Sequence, residues 1–307
     1  MSQSSATEPL IFQQIHIDAA RNSTDDFNLF HDRTKWGRIH GNPFDGPIAL
    51  GFQLECLVED QLRLYRDQNN ETALIADHRL RFSNYQFTFA SVVKPNETVQ
   101  VEIKKSQFKP GDNPTLSNRI AIKGERGIVI FGFKRESQAP LFLGDHDISA
   151  LPDLTRQPDR SYIDDTGLFY KRKFMSTGNA KNFLSGSLAD QSAYFDELDE
   201  RISFPETYSA GLISCALLER ARHNHHDFEN EPMVYTSHNI SIDRELTHGL
   251  RSNDVLHLLV DEPTAVTTER GVSQYLHHCF GLLQDGAVLF RAEITMMPLT
   301  AILKNAP

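Results

Sequence analysis

Cysteine is scarce in this chain of 307 residues: there are three, Cys56, Cys215 and Cys279, each set in an apolar run. An odd, widely spaced set argues against a disulfide framework and fits the reducing cytoplasm. In that compartment the Asn-x-Ser/Thr triplets at Asn70, Asn96 and Asn239 carry no glycosylation meaning. Long apolar runs are missing too, since a membrane-crossing helix needs roughly 18 to 20 apolar residues in a row. The stretch from Met1 to Leu10 has neither the basic cluster nor the apolar core of an export signal. Positive charge is also short: 31 Lys plus Arg stand against 41 Asp plus Glu, for a net charge of −10. That balance excludes a nucleic-acid wrapper and leaves no broad basic face for an anionic membrane.

What is present is core material. Hydrophobic residues make up 39% and charged residues 23%, the proportions of a globular protein, and the length suits two domains of about 150 residues. The segment 140–166 holds Pro140, Pro152 and Pro158, many aspartates and no sustained periodicity, so it reads as a linker between residues 1–139 and 167–307. Each half then contains one strongly apolar segment opened by a proline, Pro47-Ile-Ala-Leu-Gly51 and Pro205-Glu-Thr-Tyr-Ser-Ala-Gly211. Both are predicted helices, apolar all round near the glycine and therefore buried on nearly every side. Charges farther along (Glu59, Asp60, Arg63 and Arg66; Glu219, Arg220 and Arg222) predict that the far ends emerge into solvent. Strands are predicted at 80–93, 98–103, 118–122 and 127–133, and again at 233–242, 255–260, 273–283 and 287–296. The expected architecture is α+β and duplicated, each half a long buried helix wrapped by a curved antiparallel meander.

Before the first buried helix stands Asp25-Asp26-Phe27-Asn28-Leu29-Phe30-His31-Asp32. This order of features resembles the hot-dog fold and, within it, the MaoC-like (R)-specific enoyl-thioester hydratases and dehydratases. Their hallmark is a Gly-Asp-x-Asn-Pro-aliphatic-His run ahead of a central helix opened by a segment like Pro-Ile-Val-His-Gly. Asp26, Asn28 and His31 match in identity and spacing, and Pro47 to Gly51 matches the start of the helix. Asp25 and Leu29 replace the family's glycine and proline, which changes loop geometry and leaves the chemical groups in place. The close part of the resemblance is confined to this segment; the helix-plus-meander order extends it to both halves as a double hot dog.

The chemistry asks for these groups in its own right. Moving water off a 3-hydroxyacyl thioester, or onto a 2-enoyl thioester, needs a base for the α-proton, an acid for the β-hydroxyl and a stabiliser for the enolate-like oxygen. Asp26 and His31 are the candidate acid/base pair, with proton roles shared because coupled groups titrate together. Asn28 is expected to support the loop. By position in the family, the backbone N–H of Gly51 at the helix start would polarise the thioester carbonyl, and the missing side chain allows close approach.

The second half lacks these groups. Counting back from Gly211 places Gln191 and Ser192 near the position of His31 and Gly186 or Ser187 at that of Asp26, with Asp190 out of place. It is therefore expected to be a degenerate hot dog that completes an acyl tunnel and has room to enlarge it. The pairs His225-His226 and His277-His278, read as strand neighbours pointing to opposite faces, do not make a metal site by themselves. His40 suits a turn, and Trp36 suits packing over the loop or the acyl channel. Lys104-Lys105 and Lys171-Arg172-Lys173 suit either the phosphates of a carrier or solvated faces.

The reading is a cytoplasmic hydro-lyase of fatty-acid or polyketide-type metabolism. It needs no metal or redox cofactor and takes its acyl group on coenzyme A or the phosphopantetheine of an acyl carrier protein. Neither nucleic acid nor membrane is an expected partner, and a double hot dog is complete as a monomer or can pair as a homodimer. The alternatives are a hot-dog thioesterase, in which Asp26 activates water against the carbonyl, and a non-catalytic acyl-binding or scaffold protein.

Overall fold

The computed structural model describes residues 4–142, 148, 151–267 and 271–305. In the first half, helix α1 (Gln14–Thr24) leads through a loop to the central helix α2 (Gly51–Gln68). Strands β1 (Phe82–Phe89), β2 (Thr98–Lys104), β3 (Thr115–Gly124) and β4 (Gly127–Ser137) follow. The second half repeats the series: strand β5 (Phe169–Phe174), helix α3 (Thr177–Gly186), then a central helix in two pieces, α4 (Glu206–Gly211) and α5 (Ile213–His223). It closes with β6 (Met233–Asp243), β7 (Val255–Val260), β8 (Ser273–Leu283) and β9 (Val288–Pro298).

The meanders run in the orders β2-β3-β4-β1 and β6-β9-β8-β7. They join where β1 pairs antiparallel with β6, from Thr88 opposite Ser237 to Phe82 opposite Asp243, so one sheet crosses both halves. Period-2 alternation sets which face is covered: Val99, Val101 and Ile103 of β2 are buried while their neighbours are partly exposed. The two central helices cross closely, and a Cβ built on Gly211 would stand 3.3 Å from the Phe52 side chain. All eight long strands lie where alternation places them, within a few residues.

Three features depart from the sequence reading. Helix α2 starts at Gly51, not at Pro47. The segment before it is extended because Ile48 N–H bonds to Phe30 O and Ala49 N–H to Val93 O. Helices α1 and α3 carry no broad apolar stripe; α1 buries Ile17, Ala20, Ser23 and Thr24, and α3 lies against it at Gly186. Small residues replace large ones because the backbones nearly touch: a Cβ on Gly186 would stand 2.7 Å from both Ala20 N and His16 O.

Third, the far ends of the central helices do not simply emerge into solvent. Arg66 is buried and ion-paired with Glu136, itself fully buried, and Glu136 also meets Lys134 at 2.5 Å and Arg244 at 3.3 Å. Asp60 is buried as well, accepting two bonds from Arg63, and Arg220 is 8% exposed. Pairing within the protein makes this burial tolerable for Arg66 and Asp60.

Glu59 of α2 closes the interface between the halves. Its carboxylate accepts the Glu206 and Thr207 N–H groups, both at 2.9 Å, and the Thr207 hydroxyl at 2.6 Å, so it caps α4. Burial and the nearby Glu206 carboxylate push Glu59 up to about 7. A carboxyl raised in the folded state holds a proton that the unfolded chain has released. Its contribution to stability is therefore present at low pH and lost as pH rises from about 4.5 to 7. Glu59→Gln should match wild type near pH 5 and gain on it by about 1–3 kcal/mol between pH 5 and 8. Urea melts at the two pH values read this difference directly.

Part of the segment 140–166 predicted as a linker lies outside the described residues, as do residues 1–3. Within the rest of it, Ser161–Tyr162 pairs with β5, and Leu154 and Ile163 pack with Leu168, Tyr170, Leu259 and Phe280. No helix among the described residues is long and apolar enough to cross a membrane.

Candidate functional site

The loop after α1 is built from side chains that cap their own backbone. Helix α1 ends at Asp25 in a left-handed conformation (φ 54°), and the Asp25 carboxylate pairs with Lys173. Asp26 Oδ1 then accepts Asn28 N–H at 2.9 Å, and Asn28 Oδ1 accepts Phe30 N–H at 3.2 Å, starting a 3-10 turn over Leu29–His31. Asn28 thus caps the 3-10 turn through its side chain. Asp32 closes the segment, bonded by Thr34, Lys35 and Arg21. Burial opposes its charge, but these partners win and hold the carboxyl down at about 2.

His31 is clamped between this loop and the approach to α2. Its Nδ1 lies 2.8 Å from Ile48 O, so Nδ1 donates and Nε2 is left facing Asp26. The Nε2 to Asp26 Oδ2 distance is 4.0 Å, and both residues are buried. At that separation the groups make no direct hydrogen bond and are within reach of one shared water. Gly51 is the first residue of α2, so its N–H has no acceptor inside the helix. A Cβ there would stand 3.0 Å from the Phe89 ring and 3.4 Å from His238 Cε1, so only glycine leaves the surrounding rings undisturbed.

A cavity of about 150 Å³ is lined by His31 and Gly51 together with Leu54 and Phe89, while Asp26 lines neither cavity described here. A second, of about 640 Å³, lies between α5 and strands β6, β8 and β9. The two share Asn28, Phe30, Met233, Tyr235 and Met296 as walls. The second half therefore contributes to cavity space, through α5 and strands β6, β8 and β9. His225 and His226 line the larger cavity from the turn after α5 and are not on a strand, so strand alternation does not describe them.

Two features escaped sequence reasoning. Tyr235 of β6 walls both cavities; burial first, then the charge of Asp26, raises its hydroxyl pKa far above the usual value. Beneath Gly51, His238 Nδ1 meets Glu55 Oε1 at 2.9 Å, both side chains fully buried, with the Phe52, Phe89 and Tyr235 rings 4.6–4.8 Å from the imidazole. A bulge between Tyr235 and Ser237 turns Tyr235 and His238 toward the same side. Plain alternation puts them on opposite faces, which hides the pair.

The second half carries no counterpart of the Asp26 and His31 pair. Asp190 caps a 3-10 turn over Gln191–Ala193 as Asn28 caps its own, accepting Ser192 N–H at 3.0 Å. Asp190 is therefore the counterpart of Asn28, which shifts the sequence alignment by a residue or two. Ala193 then stands for His31 and Leu188 for Asp26. The amides opening α4 are already taken by Glu59. The basic run 171–173 is also engaged: Lys171 with Asp159, Arg172 with Tyr170 and three backbone carbonyls, Lys173 with Asp25.

Two hot-dog units sharing one sheet, with a single Asp/His loop, make the chain a double hot-dog protein. A putative MaoC domain dehydratase from Chloroflexus aurantiacus superposes with a TM-score of 0.60 at 10% identity, covering 97% of this chain and 95% of its own. A conserved hypothetical double-hotdog protein from Mycobacterium tuberculosis gives 0.57 at 12% identity, covering 97% and 96%. A putative oleoyl thioesterase from Lactobacillus plantarum gives 0.50 at 9% identity, covering 97% of each chain. No family model matches the sequence, and no curated protein matches it.

Proposed function

We propose that the protein is a hydro-lyase that adds water to a 2-enoyl thioester or removes it from a 3-hydroxyacyl thioester, carried on coenzyme A or an acyl carrier protein. The observation that carries this reading is that His31, whose Nε2 lies 4.0 Å from Asp26 Oδ2, shares a cavity wall with the start of α2. His31 and Asp26 hold the reacting water between them and exchange its protons with the α-carbon and β-oxygen. The Gly51 N–H and the positive end of α2 stabilise the enolate-like oxygen. Neither role asks for a metal or redox cofactor. That two of the similar solved structures above are described as a dehydratase and a thioesterase supports this reading and leaves hydrolysis as the rival, with Asp26 activating water against the carbonyl.

Incubation with short and medium 2-enoyl-CoA separates the two. Hydration removes the enoyl-thioester absorbance with no free thiol, whereas hydrolysis releases thiol from saturated and unsaturated acyl-CoA alike. Absorbance loss without thiol is the expected result. Thiol release alone would replace this reading with the thioesterase one.

A further inference from the structure

Four lysines and arginines are buried among the described residues, and three meet carboxylates: Arg66 and Lys134 at Glu136, Lys171 at Asp159. Arg220 does not. It lines the larger cavity from the last turn of α5, is 8% exposed, and its Nε has no hydrogen-bond partner. Its neighbour Glu219 is engaged with Arg160. The cation is held by the face of Tyr162, 6.0 Å from the ring centroid, and by the negative end of α5. Both are weak attractions and fall short of the cost of burying an unpaired charge.

His277 of β8 lines the same cavity, is equally buried, and leaves Nδ1 without a partner. Its hydrogen bond to the Asp261 backbone uses the rest of the ring's capacity. With its other nitrogen donating to Asp261, Nδ1 of His277 is an acceptor, so the unpaired donors in this cavity belong to Arg220, a permanent cation. A protein interior that pairs its other buried lysines and arginines leaves this one for a ligand.

We propose that Arg220 forms an anion subsite in the larger cavity, taking an anionic oxygen group of the bound thioester, with His277 a neutral neighbour on the cavity wall. Two sources supply that chemistry: a carboxylate at the far end of the acyl group, or a phosphate of the carrier arm. The cavity shares Asn28, Phe30 and Tyr235 with the one lined by His31 and Gly51. The assignment therefore rests on the thioester reading above. It deepens that reading, since a plain alkyl chain would leave the guanidinium unpaired.

The test is equilibrium binding to the full chain in an Asp26→Asn background, which blocks turnover. Four ligands are compared: butanoyl-CoA, glutaryl-CoA and the corresponding N-acetylcysteamine thioesters, which lack phosphate. A preference of about tenfold or more for glutaryl over butanoyl on both carriers, kept by Arg220→Lys and lost in Arg220→Gln, assigns the acyl carboxylate. An equal gain for both CoA thioesters over their phosphate-free forms, again lost in Arg220→Gln, assigns the carrier phosphate. Affinities unchanged by Arg220→Gln overturn the proposal, as does a melting temperature lowered by this variant, since removing an unpaired cation should leave it unchanged or raised. If wild-type chains fail to turn over enoyl-CoA yet the Arg220-dependent preference stands, the hydro-lyase reading falls and the subsite survives. Absence of binding by all four ligands removes both.

Discussion

Asp26→Asn and His31→Ala are each expected to slow hydration of a 2-enoyl thioester by about 100-fold to 10,000-fold, the usual cost of losing a general acid or base. The asparagine variant is the cleaner. Its side-chain oxygen still accepts the Asn28 N–H, so the 3-10 turn that presents His31 survives while the proton-transferring oxygen is lost. Alanine at 31 also removes the bond to Ile48 O and loosens the seam between the loop and α2. Some loss of stability should accompany its loss of rate, at about 1 kcal/mol for one hydrogen bond. Because both residues serve one water, the double variant should be little worse than the poorer single one. Steady-state rates with circular dichroism on each variant check all three expectations.

The largest expected effect on stability is at Glu136. This fully buried carboxylate meets Lys134, Arg66 and Arg244 and accepts the Ser83 hydroxyl at 3.0 Å. Burial opposes its charge, yet Lys134, Arg66 and Arg244 win and hold the carboxyl far below the usual carboxylate range. Glu136→Ala strands buried cations, with Glu206 left to serve Lys134 at 3.4 Å and Arg244 at 3.3 Å. Breaking such a network costs about 3–5 kcal/mol, a large fraction of the 5–15 kcal/mol that holds a typical domain together. The exposed pair of Lys123 with Glu102 is the control: Glu102→Ala should cost under about 1 kcal/mol. Denaturant midpoints of the two variants decide between a structural network and a set of incidental contacts.

The sheet was legible in the sequence because strand alternation survives wherever one face meets a helix, as in Val99, Val101 and Ile103. The Asp26, Asn28 and His31 run stands out in the sequence because Asp26 and Asn28 each bond the backbone two residues on, whereas the clamp of His31 on Ile48, 17 positions away, leaves no local mark. Features built across the duplication were not. Helices α1 and α3 pack through Gly186 and small side chains, which leave no apolar stripe to find. Arg66 and Asp60 read as solvent-facing because the partners that allow their burial, or the contacts that cover them, lie elsewhere in the chain; Glu136 is 70 positions from Arg66. His238 and Tyr235 come to the site through a bulge, and a bulge leaves no mark in periodicity. Asp190 looked misplaced because its turn is identified by a cap and not by distance from Gly211.

The proposed hydro-lyase carries one site per chain, in its first half, run by Asp26 and His31. The most direct measurement is the rate of 2-enoyl-CoA hydration by wild type, Asp26→Asn, His31→Ala and Asp190→Asn side by side. Losses of two to four orders of magnitude, as a general acid or base would give, are predicted for the first two variants, with Asp190→Asn equal to wild type. Equal rates in all four proteins, or a loss confined to Asp190→Asn, would contradict the account.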